Sequence, residues 1–353
     1  MTAAFLDITV VVTAHDAGPA LTTRLRSLLD GARFAAVWVM DSASVDGSVA
    51  AAAAAMPELR TERFEENVGP CVTRNRGLEV ASTPLVLWLD DDTEVDAASI
   101  AALRAALLAS EDRVIAGPSL RFADRREVVQ YEGGVCHYAG QPHMLRHEDP
   151  GVGGEPREVD VLTSGCALVR REPIRECGGF DRHLFFLMED VELSLRLRIA
   201  GRRLVVVPEA VAVNAGGSAG VSLESDAYPQ RRVFLHARNR SLVVLGLWEW
   251  TSLVLLWPAL LLFEAAWLVF ATLAGHPLAY VRGKLAVVAH LGHVRRVRAR
   301  VRASRQVRDR DLLGAPPLTF TASAMAQPLA RQCARTLDVL MRLYFHAARG
   351  LMP

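Results

Sequence analysis

The chain has almost no net charge: 40 Lys and Arg stand against 39 Asp and Glu, a formal +1 over 353 residues. That balance removes any global pull toward nucleic acid, although a local basic patch can sit inside a neutral total. Cysteine is scarce. Cys71, Cys136, Cys166, Cys177 and Cys333 are odd in number and form no CxxC pair, which argues against a disulfide scaffold or a structural zinc site and fits a reducing compartment. The opening MTAAFLDITVVV has neither the basic n-region nor the apolar core of a signal peptide, so the N-terminal part is expected to be cytoplasmic. No P-loop pattern occurs, which removes the commonest phosphate-transfer fold. There is no internal repeat, and the alanine run at 50–55 sits where a helix is expected. What remains is a chain 51% hydrophobic and 22% charged, long enough for one large or two ordinary domains with ample core.

Its composition is uneven along its length. Residues 1–240 read as a soluble α/β unit, 241–275 as an apolar helical hairpin, and 276–353 as a basic amphipathic helix followed by a helical tail. In the first part, Ile8–Val12, Val37–Met40 and Leu85–Leu89 read as buried strands, and Leu21–Leu29, Val45–Met56 and Val72–Val80 as helices. Strand–helix alternation predicts a doubly wound, mostly parallel, Rossmann-like sheet with its ligand site at the carboxyl ends of the strands. Polar residues stand at those ends: His15 and Asp16, then Asp41, then Asp90, Asp91 and Asp92.

Three segments can carry chemistry. In LVLWLDDDTEV, residues 85–95, an apolar strand delivers three consecutive carboxylates. Two unit charges about 4 Å apart repel by roughly 4 kcal/mol at an effective dielectric of 20, so such a cluster wants relief. A hard divalent ion with oxygen ligands would provide it; a solvated turn capping the helix after Asp96 is the bland alternative. In FLMEDVELSLRLRIAG, residues 186–201, Val191, Leu195 and Ile199 mark an amphipathic helix with Glu189 and Asp190 at its start. The pair is either a favourable helix beginning or a general base held beside a reacting hydroxyl. In ENVGPCVTRNRGLEVA, residues 66–81, Arg74 and Arg76 either meet a diphosphate through their forked donors or lie solvated on a surface helix.

Taken together these pieces resemble the inverting GT-A glycosyltransferases of family 2, over roughly residues 7–240. ITVVVTAHDAGPAL resembles the opening strand and loop, VWVMDSASVDGS the second strand, ENVGPCVTRNRGL the Asn-x-Gly…Arg-Asn-x-Gly block, WLDDDTEVD the DxD motif, and VLTSGCALVRREPIRECGGFDRHLFFLMEDVELSLRLRIAG the acceptor-side block ending in the ED motif. The resemblance implies a GT-A fold and a nucleotide-sugar site containing Thr13, His15, Asp41, Asn67, Arg74, Asp90 and Asp91. It implies Mg2+ or Mn2+ held by Asp90 and Asp92, with Asp190 as catalytic base and Glu189 orienting the acceptor. The implied reaction moves a sugar from a nucleoside-diphosphate sugar to a hydroxyl of a lipid-linked or growing glycan, with inversion. Relatives whose Arg-Asn segment (here Arg238-Asn239) precedes an apolar tail often build cell-envelope polysaccharides, rhamnosyl transfer included. Asn214 stands where many relatives carry a further histidine ligand. Two other classes share the acidic motifs: a metal-dependent nucleotidyl or phosphoryl transferase, and a non-catalytic scaffold of the same fold.

The Gly-, Pro- and His-rich stretch 132–158 reads as a mobile loop covering the acceptor, with His137, His143 and His147 too irregularly spaced for a metal site. The apolar stretch 241–274 is 34 residues long, short of the roughly 40 needed for two crossings. Arginines flank it on both sides, which disfavours a single crossing. A monotopic hairpin breaking near Pro258 is therefore expected, with Trp248, Trp250, Trp257 and Trp267 at interfacial depth and the basic helix on anionic lipid headgroups at the cytoplasmic face of the membrane. No nucleic-acid partner is expected, because no aromatic residue interleaves the arginines of 294–310.

Overall fold

The computed structural model describes residues 3–215, 228–319 and 328–352; residues 216–227 of the expected α/β segment and 320–327 of the expected tail lie outside it. The chain divides into two compact units. One holds the chain up to Gly133, Leu145–Leu197 and the strand that follows Arg202; the other holds Gly134–Met144, Arg198–Gly201 and the C-terminal helices.

The first unit is built on β1 (Ala3–Ala14), β2 (Ala32–Asp41), β3 (Arg60–Arg63), β4 (Leu85–Asp90), β5 (Thr93–Val95), β6 (Arg113–Phe122), β7 (Val129–Tyr131), β10 (Arg157–Val159), β11 (Cys166–Arg170) and β12 (Arg203–Asn214). They form one mixed sheet in the order β10-β12-β6-β11-β4-β1-β2-β3, with β5 on β12 and β7 on β6. The half β3-β2-β1-β4 is parallel, as strand–helix alternation predicts. Beyond it β11 runs antiparallel between β4 and β6, so the sheet is mixed rather than uniformly parallel.

The strands read as continuous apolar runs because both faces are covered. Ile8, Val10, Val11 and Val12 of β1 and Leu85 to Leu89 of β4 are all buried. Helix α1 (Ala20–Gly31) buries Leu21, Leu25 and Leu28, one face at helical spacing. Helix α2 (Ser48–Ala55) starts three residues later than the pattern Val45–Met56 suggests. Asp46 accepts bonds from the Ser48 N–H and hydroxyl, and Gly47 is left-handed with φ 75°, so the chain still turns there. Helix α3 (Gly69–Val80) has Pro70 in its first turn. It packs so closely on β1 that a Cβ on Gly77 would sit 2.2 Å from Val11 Cγ1. Helix α4 (Ala97–Leu108) is capped by Asp96, whose side chain accepts from Ser99 N–H at 2.7 Å. Two further helices, α5 (Arg171–Glu176) and α6 (Glu189–Ile199), complete the unit. The expected amphipathic character of α6 does not hold. Residues 191–197 are buried all round, including Glu192 and Arg196, which pair at 2.6 Å within the helix. Arg196 also donates to the carbonyls of Cys177 and Gly179, so the polar positions that imitate a solvent face are internally bonded.

The second unit contains the hairpin β8 (Gly134–His137)–β9 (Gln141–Met144) and helices α7 (Gln230–Leu247), α8 (Trp250–Leu273), α9 (Pro277–Ala289), α10 (Leu291–Ser304), α11 (Asp309–Leu312) and α12 (Pro328–Arg349). Several expectations are corrected here. Residue 240 lies inside α7, whose Val233, Ala237 and Val243 are core. The helical break is at Trp248–Glu249 rather than Pro258. Trp248 is buried, its indole N–H donating to Tyr138 O at 2.7 Å, and Glu249 N–H donates to Asp309 at 2.6 Å; these bonds fix the corner. Pro258 continues within α8, at the loss of one backbone bond that an apolar helix tolerates. Trp248 is thus no interfacial residue, and Arg298 and Arg305 are not free for headgroups. They donate to Leu245 O at 2.6 Å and Leu247 O, satisfying the last carbonyls of α7.

Part of the stretch read as a loop is ordered hairpin. Tyr138 stacks on Phe345 with ring centroids 5.0 Å apart, and its hydroxyl donates to Met341 O. His137 is buried, its Nδ1 accepting from Ala139 N–H at 3.0 Å. Burial, helped by Arg240, pushes its imidazole down to about 3, so it stays neutral. His147 instead bonds Gln130 O, which gives each of these two histidines a structural partner. All five cysteines are free thiols, as their spacing suggests.

Replacing Gly77 by Ala is expected to destabilise the protein by about 1–3 kcal/mol, because the new methyl must displace a β-branched side chain on a buried strand. A fall in urea midpoint at unchanged slope is the expected result.

Candidate active site

Parallel pairing of β1 with β4 sets Thr13 opposite Asp90, and pairing of β1 with β2 sets Ala14 opposite Asp41. The carboxyl ends of three adjacent strands therefore deliver Thr13, Asp41 and Asp90 to one edge, where apolar strand gives way to polar residues. Asp90 accepts from Thr13 Oγ1 at 2.9 Å and from Arg74 Nη2 at 2.5 Å. Beside it, Gly165 leaves the space that a Cβ would take 3.0 Å from Asp90 Oδ2, and its carbonyl accepts from Asp90 N–H.

The triple carboxylate is not a helix cap; Asp96 alone does that work. Asp91 accepts from the backbone N–H of His15 at 2.9 Å, and its own carbonyl accepts from Arg24 Nη1. Asp92 accepts from Asn214 Nδ2 at 2.8 Å. Antiparallel β5–β12 pairing puts Asn214 opposite Thr93, next to this carboxylate. Burial and the neighbouring Asp90 push both Asp91 and Asp92 up to about 7, with Asp91 adding to the effect on Asp92. Crowded oxygen donors of this kind fit a hard divalent cation, whose charge would relieve the repulsion.

The second acidic pair reaches the same region on Arg74. This guanidinium is buried, with Nη1 3.9 Å from Glu189 Oε1 while Nη2 holds Asp90. Its Nε and Nη1 are buried without a hydrogen-bond partner. Arg76, two residues on, is the solvated kind: it pairs with Glu62 at 2.7 Å and Glu79 at 2.9 Å on the half-exposed side of α3. Between them Asn75 bonds Phe180 through both amide atoms, at 2.9 and 2.8 Å, tying α3 to the turn before α6.

Asp190 accepts from Ser164 Oγ at 2.5 Å, Ser164 N–H at 3.2 Å and Thr163 Oγ1 at 3.2 Å. Its partners lie on the segment before β11 rather than in its own helix, so the pair is more than a favourable helix start. Burial pushes both Glu189 and Asp190 above the usual carboxylate range; their proximity adds for Glu189, and Arg74 opposes the shift in both. The approach to the pair is unusual: Phe185, Leu187 and Met188 all have φ between 65° and 72°, a left-handed run in non-glycine residues.

The remaining expected residues are held nearby by local bonds. Asp41 is buried, accepting from Ser44 N–H at 2.8 Å and pairing with Arg63 at 2.6 Å. Asn67 Oδ1 accepts from Gly69 N–H at 3.1 Å at the start of α3 and lies 3.2 Å from Ser42 Oγ. His15 contributes its backbone N–H to the acidic cluster while its imidazole is 44% exposed. Sequence reasoning missed Thr163, Ser164, Gly165, Arg24 and Arg63. The first three stand in the block VLTSGC, but the strand pairing that turns them toward the acids is long-range. Arg63 has no local signal at all.

In an open α/β sheet ligands bind outside the carboxyl ends of the strands, and the acidic groups stand at that edge. The chain belongs to glycosyl transferase family 2 and is a glycosyltransferase: the family model matches residues 9–178. It is 31% identical to the N-acetylglucosaminyl-diphospho-decaprenol L-rhamnosyltransferase of Mycobacterium tuberculosis, with 57% of this chain and 73% of that protein covered. It is 28% identical to the succinoglycan biosynthesis protein ExoU of Rhizobium meliloti, over 40% of this chain and 42% of that protein. In fold it is similar to the crystal structure of GalNAc-T7 with UDP, GalNAc and Mn2+: TM-score 0.56, 18% identity, covering 70% of this chain and about half (49%) of that one.

Ser164→Ala removes the shortest bond to Asp190 and leaves its backbone donor. Loss of a donor to the ionised carboxylate raises its pKa further. The ascending limb of the pH–rate profile is expected to move to higher pH, with the high-pH plateau nearly kept. An unmoved limb would separate Ser164 from the ionisation that limits the rate.

Proposed function

We propose that this glycosyltransferase moves a sugar from a nucleoside-diphosphate donor to a hydroxyl of a lipid-linked or growing glycan acceptor, with inversion at the anomeric carbon, at the cytoplasmic face of the membrane. The observation that carries the reading is the joining of the two acidic motifs through one buried cation: Asp90 and Glu189 both lie against Arg74, and Asp190 adjoins Glu189. A donor-side group and a base are thereby held in one network.

Thr13, His15, Asp41, Asn67, Arg74, Asp90 and Asp91 would line the donor side. Arg74 has two buried donor atoms without partners, which suits an anionic ligand or a sugar hydroxyl. Asp90 and Asp92 would hold a divalent Mg2+ or Mn2+, which supplies neutralisation of the leaving diphosphate when bound. Mn2+ in the complex of GalNAc-T7 supports the same choice. Asn214 can offer an oxygen to a hard ion in place of histidine. Asp190 takes the proton from the acceptor hydroxyl as that oxygen attacks, and Thr163 and Ser164 fix its carboxylate in direction. Glu189 orients the acceptor. Because burial raises both carboxyls, the base is ionised only as pH rises above the usual carboxylate range. Arg74 opposes that shift in both carboxyls.

The lipid-linked acceptor is supported by the mycobacterial relative, whose named acceptor is a decaprenyl diphosphate carrying N-acetylglucosamine. The succinoglycan relative supports a polysaccharide product.

Binding of UDP, dTDP, GDP and CDP, each with and without Mn2+ or Mg2+, tests the donor half. One nucleotide is expected to bind in a metal-dependent way, weakened at least about tenfold in Asp92→Asn by loss of a charged ligand. Asp190→Asn is expected to lose about 10²–10⁴-fold in turnover while keeping donor binding. Metal-independent binding, or full activity in Asp190→Asn, would refute the assignment.

A further inference from the structure

The apolar helix α8 is long enough by length and composition to cross a membrane, yet its surroundings within its own unit indicate a different placement. Its two sides differ. Leu253, Leu256, Ala259, Phe263 and Ala271 are buried against protein, whereas Trp250, Val254, Trp257, Leu261 and Leu268 are exposed at helical spacing. The mid-helix acid Glu264 lies in a polar cluster: it pairs with Arg240 of α7 and with Lys284 of α9 at 2.7 Å, and accepts from the Tyr280 hydroxyl. That ionic clamp fixes which side of α8 faces the protein.

The neighbours cannot follow a crossing. Helix α9 packs on both α8 and α7 and has 13 residues, about 20 Å of helix against a hydrocarbon core of about 30 Å. It too exposes a stripe, Leu278, Val281, Leu285 and Val288. Helix α7 carries Arg231, Arg232, Arg238 and Arg240, too much charge for lipid on all sides. Exposed cations border the pair: Arg295, Arg296 and Arg300 of α10 follow directly after α9. Apolar stripes bordered by arginine match a bilayer surface rich in anionic headgroups.

We infer that α8 lies in the plane of the membrane, its exposed stripe and that of α9 set into the headgroup–acyl boundary of anionic lipid, and that it does not cross. This deepens the membrane-side reading proposed above and leaves the chemistry of the acidic site independent of it.

The test uses the full chain and vesicles of phosphatidylcholine with or without phosphatidylglycerol. Flotation is expected with the anionic vesicles and to fall at least about tenfold in the double variant Val254→Glu/Leu261→Glu. Both positions are exposed, so circular dichroism and nucleotide binding should stay unchanged; intact nucleotide binding with lost flotation separates this proposal from the transferase assignment. In a Cys177→Ser/Cys333→Ser background, whose remaining Cys71, Cys136 and Cys166 are buried, one added cysteine at Thr251 or at Leu273 reports on which side of a sealed vesicle that end of α8 lies. Labelling of both by an impermeant maleimide from outside is expected. Protection of one end until detergent is added would mean a crossing and overturn the inference. So would equal flotation with neutral vesicles, or no flotation by a folded protein whose stripe is covered in a dimer.

Discussion

The acidic site depends on one buried cation. Arg74 is 4% exposed in its side chain and faces Asp90 on one edge and Glu189 on the other. A guanidinium taken out of water costs several kcal/mol unless its charge is matched, and so do the carboxylates around it. Each side of this arrangement is tolerable only because the other is present. The neighbouring Asp91, Asp92, Glu189 and Asp190 are all raised, by burial first and then by nearby carboxylates, so each is costly to ionise without a further cation. A cluster of that kind, at the carboxyl edge of a parallel sheet, is what a cationic or metal-bound ligand completes.

Arg74 can be buried only if α3 lies hard against the sheet. Gly77 permits this, one helical turn further on, by presenting no Cβ to Val11. Pro70 starts the helix and Asn75 ties it to Phe180. Successive residues of a helix point about 100° apart, so Arg74, Asn75 and Arg76 face the site, the turn before α6 and solvent in sequence. One short motif therefore performs three separate jobs, and only the first bears directly on the acids.

This rotation also explains what could be read in the chain beforehand. The parallel half of the sheet and its helices were legible because strands buried on both faces leave unmistakable apolar runs, and the acidic motifs follow those runs directly. Arg74 and Arg76 were equivalent on paper; a helix in isolation does not say which face meets the sheet. Nor could periodicity expose α6 as buried all round, since the Glu192–Arg196 pair looks like a solvent face while serving the interior. Thr163 and Ser164 reach Asp190 across 26 or 27 residues, and Arg63 reaches Asp41 across 22. Such contacts are set by topology, which a linear pattern does not contain.

The C-terminal helices pose the opposite problem, where composition was loud and geometry silent. A run of apolar residues suggested a break at its proline, because proline is the strongest local punctuation available. The actual corner is made by Trp248 and Glu249, held by Tyr138 and Asp309 from segments over 50 residues away. Likewise, arginines that looked like a headgroup-binding row include two that close the end of α7. Charge in this region has to be sorted by partner before it can be assigned to lipid. Arg298 and Arg305 answer backbone carbonyls, Arg240 and Lys284 answer Glu264, and the exposed arginines of α10 are left to face outward. Read this way, the lone acid of an apolar helix marks its protein-facing side, and orientation follows from pairing rather than from hydropathy.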